Sequence, residues 1–116
     1  MDHKRILSFK YAFEGIKDAF VEEPNLKVHF IVAFLVLLLG IFLKISRQDW
    51  LFLVITTGVV ISVELTNTAI EWVVDSFVDK EHPGAKKAKD ISAGAVLIVS
   101  IMAIFVGVLV FIPYIS

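Results

Sequence analysis

An all-α integral membrane protein, with an N-terminal amphipathic surface helix followed by three transmembrane helices, is the fold class that the sequence predicts. Composition is the first reason. Of 116 residues, 58% are hydrophobic and only 20% charged, with a mean hydropathy of +0.84, which is too apolar for a soluble domain of this length. The second is a pair of long apolar runs. Residues 28–43 contain no acid or base except His29, and residues 91–116 contain none; with their flanks, both reach the about 20 residues that a hydrocarbon core requires. The third is a row of carboxylates and an amide set inside the remaining apolar stretch, at Glu64, Asn67, Glu71 and Asp75.

Each element follows from its local pattern. Ile6, Phe9, Phe13, Ile16 and Phe20 recur at spacings of three and four, opposite Lys4, Tyr11, Glu14 and Asp18, so an amphipathic helix is expected over about 4–23. Its aromatics and lysines suit the headgroup plane of a bilayer. Pro24 disfavours helical backbone in the residue before it, which places Glu23 at a corner. The first span is expected over about 27–44, with the lone His29 packed at the membrane interface, and a short polar turn at 44–49 sends the chain back antiparallel. The second span covers about 49–77. Residues 79–89 form a polar loop in which Pro83-Gly84 marks a turn, and the third span covers about 90–114. Ala93, Ser100, Ala103 and Gly107 line one face of that last span and are expected to permit close helix contact. No linker, repeat or low-complexity segment divides the chain, so residues 1–116 form one membrane domain.

The charges orient the spans and exclude some functions. Lys4, Arg5, Lys10, Lys17 and Lys27 precede the first span, and Lys80, Lys86, Lys87 and Lys89 crowd the second loop, against only Lys44 and Arg47 in the intervening turn. The positive-inside rule puts the N-terminus and the second loop in the cytoplasm, with the protein multi-pass in the plasma membrane. A net charge of −1 offers no field for nucleic acid. The absence of cysteine removes disulfides, thiolate metal sites and cysteine nucleophiles. Residues 1–5 are not followed by an apolar signal core or a small-residue cleavage site, so no leader is expected to be removed.

The acids carry the chemistry. On a helix turning about 100° per residue, Glu64, Asn67, Glu71 and Asp75 fall within an arc of about 80°, joined by Thr57 and Thr68. An ionisable group at the bilayer centre costs about 2.5–3.5 kcal/mol on insertion scales, so several on one face mark a bundle interior or a functional cleft. Glu64 lies about 10 Å deeper than Glu71, too far for the two to share one metal ion. Glu71 is instead within reach of Glu23 at the corner, and that pair suits Mg²⁺, which takes one or two carboxylates and completes its shell with water and phosphate oxygens. Glu64 is placed to act as a general base on a group presented from the lipid side, with Asn67 orienting either partner. Lys89 and Asp90 offer a cation for phosphate beside an acid, and His82 in the loop is a further candidate on the nucleotide side together with Glu23, Glu71 and Asp75. Neither G-x-x-x-x-G-K-[ST] nor G-x-G-x-x-G occurs, so any nucleotide is held by charge and metal.

The pattern Glu64-x-x-Asn67-x-x-x-Glu71-x-x-x-Asp75, then Glu81-His82, then Ala88-Lys89-Asp90 running into Ser92-Ala93-Gly94-Ala95-Val96, resembles the small bacterial diacylglycerol kinase family, which includes the undecaprenol kinases. The match extends to Gly15 and Glu23 and so covers nearly the whole chain. It implies a homotrimer of three-span subunits with composite active sites at the cytoplasmic boundary and ATP-Mg²⁺ as phosphoryl donor. It also implies Glu64 as catalytic base, Glu23 and Glu71 as metal ligands, and Asn67, Lys89 and Asp90 as essential site residues. The segments Glu23-x-Asn25-Leu26-Lys27-Val28-His29 and Glu81-His82-Pro83 look more like the Gram-positive branch, whose typical acceptor is undecaprenol, than like the enterobacterial diacylglycerol enzymes. Two other classes compete: an ion or proton conduit, and an assembly subunit. A conduit carries polar groups across the whole bilayer, whereas residues 50–61 offer only Thr56, Thr57 and Gly58.

Overall fold

The computed structural model describes residues 3–116. The expectation of no cleaved leader concerns in part residues 1 and 2, which lie outside them. Four helices make up the described residues: α1 (His3–Glu22), α2 (Pro24–Leu43), α3 (Arg47–Phe77) and α4 (Pro83–Ile115). The last three are long and apolar enough to cross a membrane. The chain is an all-helical membrane protein.

The joints between helices have local causes. Glu23 is extended (φ −106°, ψ 108°) and Pro24 opens α2, so a single residue makes the corner between α1 and α2. Lys44 closes α2 in the left-handed region (φ 53°, ψ 52°), and the Ile45 N–H returns to the Gly40 carbonyl, which folds Ile45 back onto the bundle. Ser46 then caps α3 by accepting from the Asp49 N–H.

At the other end of α3 the structure departs from expectation. Pro83-Gly84 is the first turn of α4 rather than a loop turn: His82 Nδ1 accepts from the Gly84 N–H at 2.9 Å, and Pro83 occupies the first helical position, where its missing N–H is no loss. Lys86, Lys87 and Lys89 therefore ride on the opening turns of α4.

One end of the bundle is apolar and the other polar. Ile45, Leu53, Val110 and Phe111 form a buried cluster beside the α2–α3 turn. The Tyr114 hydroxyl seals it by donating to Asp49 Oδ2 at 2.5 Å while accepting from the Ser46 N–H at 2.9 Å. At Gly40, an added Cβ would stand 2.8 Å from the Trp50 ring. Gly40→Val is accordingly expected to destabilise the folded protein by about 1–3 kcal/mol through overpacking, measurable as a lower midpoint of thermal unfolding in detergent.

Much of the apolar surface has no partner within the chain. The radius of gyration is 17.2 Å, against about 13 Å for a compact domain of this length. Phe9, Phe13, Phe42, Phe77 and Phe105 are all exposed. On the small-residue face of the last span, Ala93 is exposed and nothing lies within 4 Å of a Cβ built at Gly107, while the half-buried Ser100, Ala103 and Gly107 border an open groove beside α3. The same side of α4 carries the buried Ser92, Val110 and Phe111, the last two in the cluster with Leu53 of α3, so the groove lies between residues that pack at both ends of the helix.

Candidate active site

The polar residues of α3 gather at the end where the α1–α2 corner and the start of α4 meet it. Their single stripe is shared between two neighbours. Glu64 faces α2: its carboxylate Oε1 lies 2.9 Å from His29 Nε2, and the residue is only 5% exposed. Asn67 faces α4, accepting from the buried Ser92 hydroxyl at 2.6 Å and donating through Nδ2 to Glu71 Oε1 at 3.3 Å. The amide thus ties Glu71 to α4 and limits its swing. Asp75, one turn further on, accepts from Lys89 Nζ at 2.9 Å.

The corner supplies the second acid. Burial, followed by the charges of Glu71, Glu64 and Glu22, holds the Glu23 carboxyl above the usual carboxylate range. Negative charges from two different elements are therefore crowded together. The Trp72 indole N–H donates to Glu22 Oε2 at 2.9 Å, and the Phe20 and Phe30 rings meet edge-on at 5.4 Å, so the end of α1 is fastened to both α2 and α3. Beside this joint a cleft of about 540 Å³ opens between α1 and α3, bordered by Gly15, Ala19, Glu22, Thr68 and Trp72.

Among the described residues, no three acids or histidines gather as a metal centre. The pair Glu23 and Glu71 nevertheless fits Mg²⁺, since that ion commonly takes one or two carboxylates, and the neighbouring negative charge that adds to burial in raising the Glu23 proton affinity is what a cation relieves.

A family model described as prokaryotic diacylglycerol kinase matches residues 10–111. The chain belongs to the prokaryotic diacylglycerol kinase family. It is 38% identical to the undecaprenol kinase of Bacillus subtilis over 97% of this chain and 95% of that protein. A diacylglycerol kinase of Synechocystis is 37% identical over 93% of this chain and 62% of its own length, and one from Helicobacter pylori is 35% identical over 76% and 69%. Membership makes the chain a membrane lipid kinase.

The remaining candidates of this family member are placed differently from one another. Asp90 is paired with Lys86 at 2.6 Å on the exposed side of α4, one turn apart, and Lys89 is engaged by Asp75. His82 serves as the cap of α4 and borders a shallow polar depression with Asp79, Lys80 and Glu81, so it is not brought to Glu64 or Asn67. Two residues were not anticipated. Ser92 carries no signal of its own beyond its place in the α4 motif. His29 does, and the structure gives it a partner that the expectation of packing at the interface did not include, the Glu64 carboxylate. With Glu23 level with Glu71 on antiparallel helices, six residues down α2 and seven residues up the sequence on α3 reach nearly the same depth, about 9–10 Å away. Those positions are His29 and Glu64.

Proposed function

We propose that this lipid kinase transfers the γ-phosphate of ATP to the hydroxyl of a membrane lipid alcohol, with undecaprenol preferred over diacylglycerol. The observation that carries the reading is the division of acids at one end of the bundle: a crowded pair at the surface, Glu23 with Glu71, and a separate buried carboxylate, Glu64. The first suits a charge-rich donor and the second a proton transfer away from water. The likeness to the Bacillus subtilis undecaprenol kinase over nearly the full length of both chains favours the polyprenol as acceptor.

In this mechanism the lipid hydroxyl enters from the bilayer and gives its proton to Glu64, and its oxygen attacks the γ-phosphorus in line as the bond to the departing diphosphate breaks. Mg²⁺ held by Glu23 and Glu71 would supply neutralisation of the donor phosphates. Asn67 keeps Glu71 aimed, through the bond it makes to that carboxylate. Lys89, released from Asp75, adds positive charge on the donor side, where Asp75, Asp90 and His82 form the outer polar rim. The basic α1 and the Lys86–Lys89 turns of α4 orient this end to the cytoplasm in the plasma membrane. The uncovered apolar faces of the spans, including the groove side of α4, fit a homotrimer whose subunits share each site.

Purified protein in mixed micelles, given labelled ATP-Mg²⁺ and either lipid alcohol, is expected to phosphorylate undecaprenol with the higher kcat/KM. A preference for diacylglycerol would reverse the acceptor, and labelling of neither would sink the reading. Cross-linking in mild detergent is expected to stop at three subunits, and mixing a Glu64→Gln protein with a Glu71→Gln protein is expected to restore part of the activity. A fully active monomer would remove the shared site.

A further inference from the structure

A carboxylate withdrawn from water needs a hydrogen-bond donor within reach, or it costs several kcal/mol. For Glu64, among the described residues, the carboxylate has one side-chain partner, the His29 imidazole, across the contact between α2 and α3. The Glu64 side chain is 6% exposed and that of His29 25%. The difference matters, because His29 also borders the apolar groove of about 470 Å³ between α2, α3 and α4, with Val32, Thr57, Ile61, Ser100 and Gly107 along its walls. Glu64 itself does not line it. His29 is thus the residue at which the apolar groove and the buried acid meet.

We propose that His29 is a positioning residue for the general base. Presenting its Nε2–H to Glu64 Oε1 across 2.9 Å, it holds the carboxylate in one rotamer beside the end of the groove that His29 borders and leaves Oε2 to accept the acceptor lipid's proton. In the step so arranged, the O–H bond of the lipid breaks with its proton going to Glu64 Oε2, the new O–P bond forms, and the bond from the γ-phosphorus to the ADP oxygen breaks. A neutral imidazole is enough for this task, since only a donor is needed. The inference rests on the reading that Glu64 takes the proton, and its test separates the two.

His29→Leu keeps apolar volume but removes the donor. His29→Asn keeps an amide too short to span the gap, and His29→Gln keeps an amide N–H that can reach the same oxygen. With undecaprenol and ATP-Mg²⁺, the Leu and Asn variants are expected to lose about 30–100-fold in kcat with KM for ATP within about twofold of wild type, while the Gln variant stays within about fivefold in kcat. Should the Leu variant fail to fold, the Asn and Gln pair carries the same comparison. Equal activity of Asn and Gln, whether both high or both low, overturns the positioning role. Glu64→Gln assayed alongside decides the other question: if it stays active, the base assignment fails whatever His29 does, and if it is inactive while His29→Asn is normal, only the role of His29 is lost.

Discussion

Glu64→Gln is expected to lower lipid phosphorylation by about 10²–10⁴, the usual worth of a positioned general base, while leaving ATP-Mg²⁺ binding nearly unchanged. The separation of the two effects follows from depth: Glu64 lies about two turns of α3 away from Glu71, and its neighbour at 2.9 Å, His29, is on α2, not on the donor side. Folding should survive the change. The amide keeps the size of the side chain that sits 2.9 Å from His29, and a neutral group replaces an acid that is only 5% exposed. The check is paired, with nucleotide affinity by titration and phosphorylation rate on the same preparation. Near-normal turnover with damaged nucleotide binding would show that Glu64 serves the donor.

The second large effect is expected at the surface pair. Glu71→Gln and Glu23→Gln should each reduce activity by at least about tenfold at low Mg²⁺ and recover part of it as Mg²⁺ is raised, because an ion with few protein ligands loses one of them. For Glu23 the sign of the stability effect can also be worked out. Its proton is held more tightly in the folded protein than in the unfolded chain, so the ionised side chain disfavours folding at neutral pH, and that penalty disappears as pH falls through the raised value. Without divalent cation, Glu23→Gln should therefore melt no lower than wild type at neutral pH, and added Mg²⁺ should raise the melting temperature of wild type more than that of the variant. Wild-type activity of both variants at low Mg²⁺ would show that these acids do not hold the ion.

The sequence by itself determined the number of spans, the amphipathic first helix, the corner at Glu23 and the row of acids on α3. Each of these is a one-dimensional property: apolar run length, the period of a helix, the restriction that proline places on its predecessor, and the angle between residues three, four and seven apart. The start of α4 at Pro83 was one-dimensional too, but the same Pro-Gly pair serves equally as a turn or as a first helical turn, and only the His82 cap decides between them. Tertiary structure alone decided which neighbour each polar side chain meets: His29 for Glu64, Ser92 for Asn67, Lys89 for Asp75 and Trp72 for Glu22. The physical reason is that a span apolar on every side has no amphipathic stripe to announce its packing face. The rotation and depth of α2 and α4 against α3 emerge only when the helices are packed, and with them the pairing of His29 with Glu64.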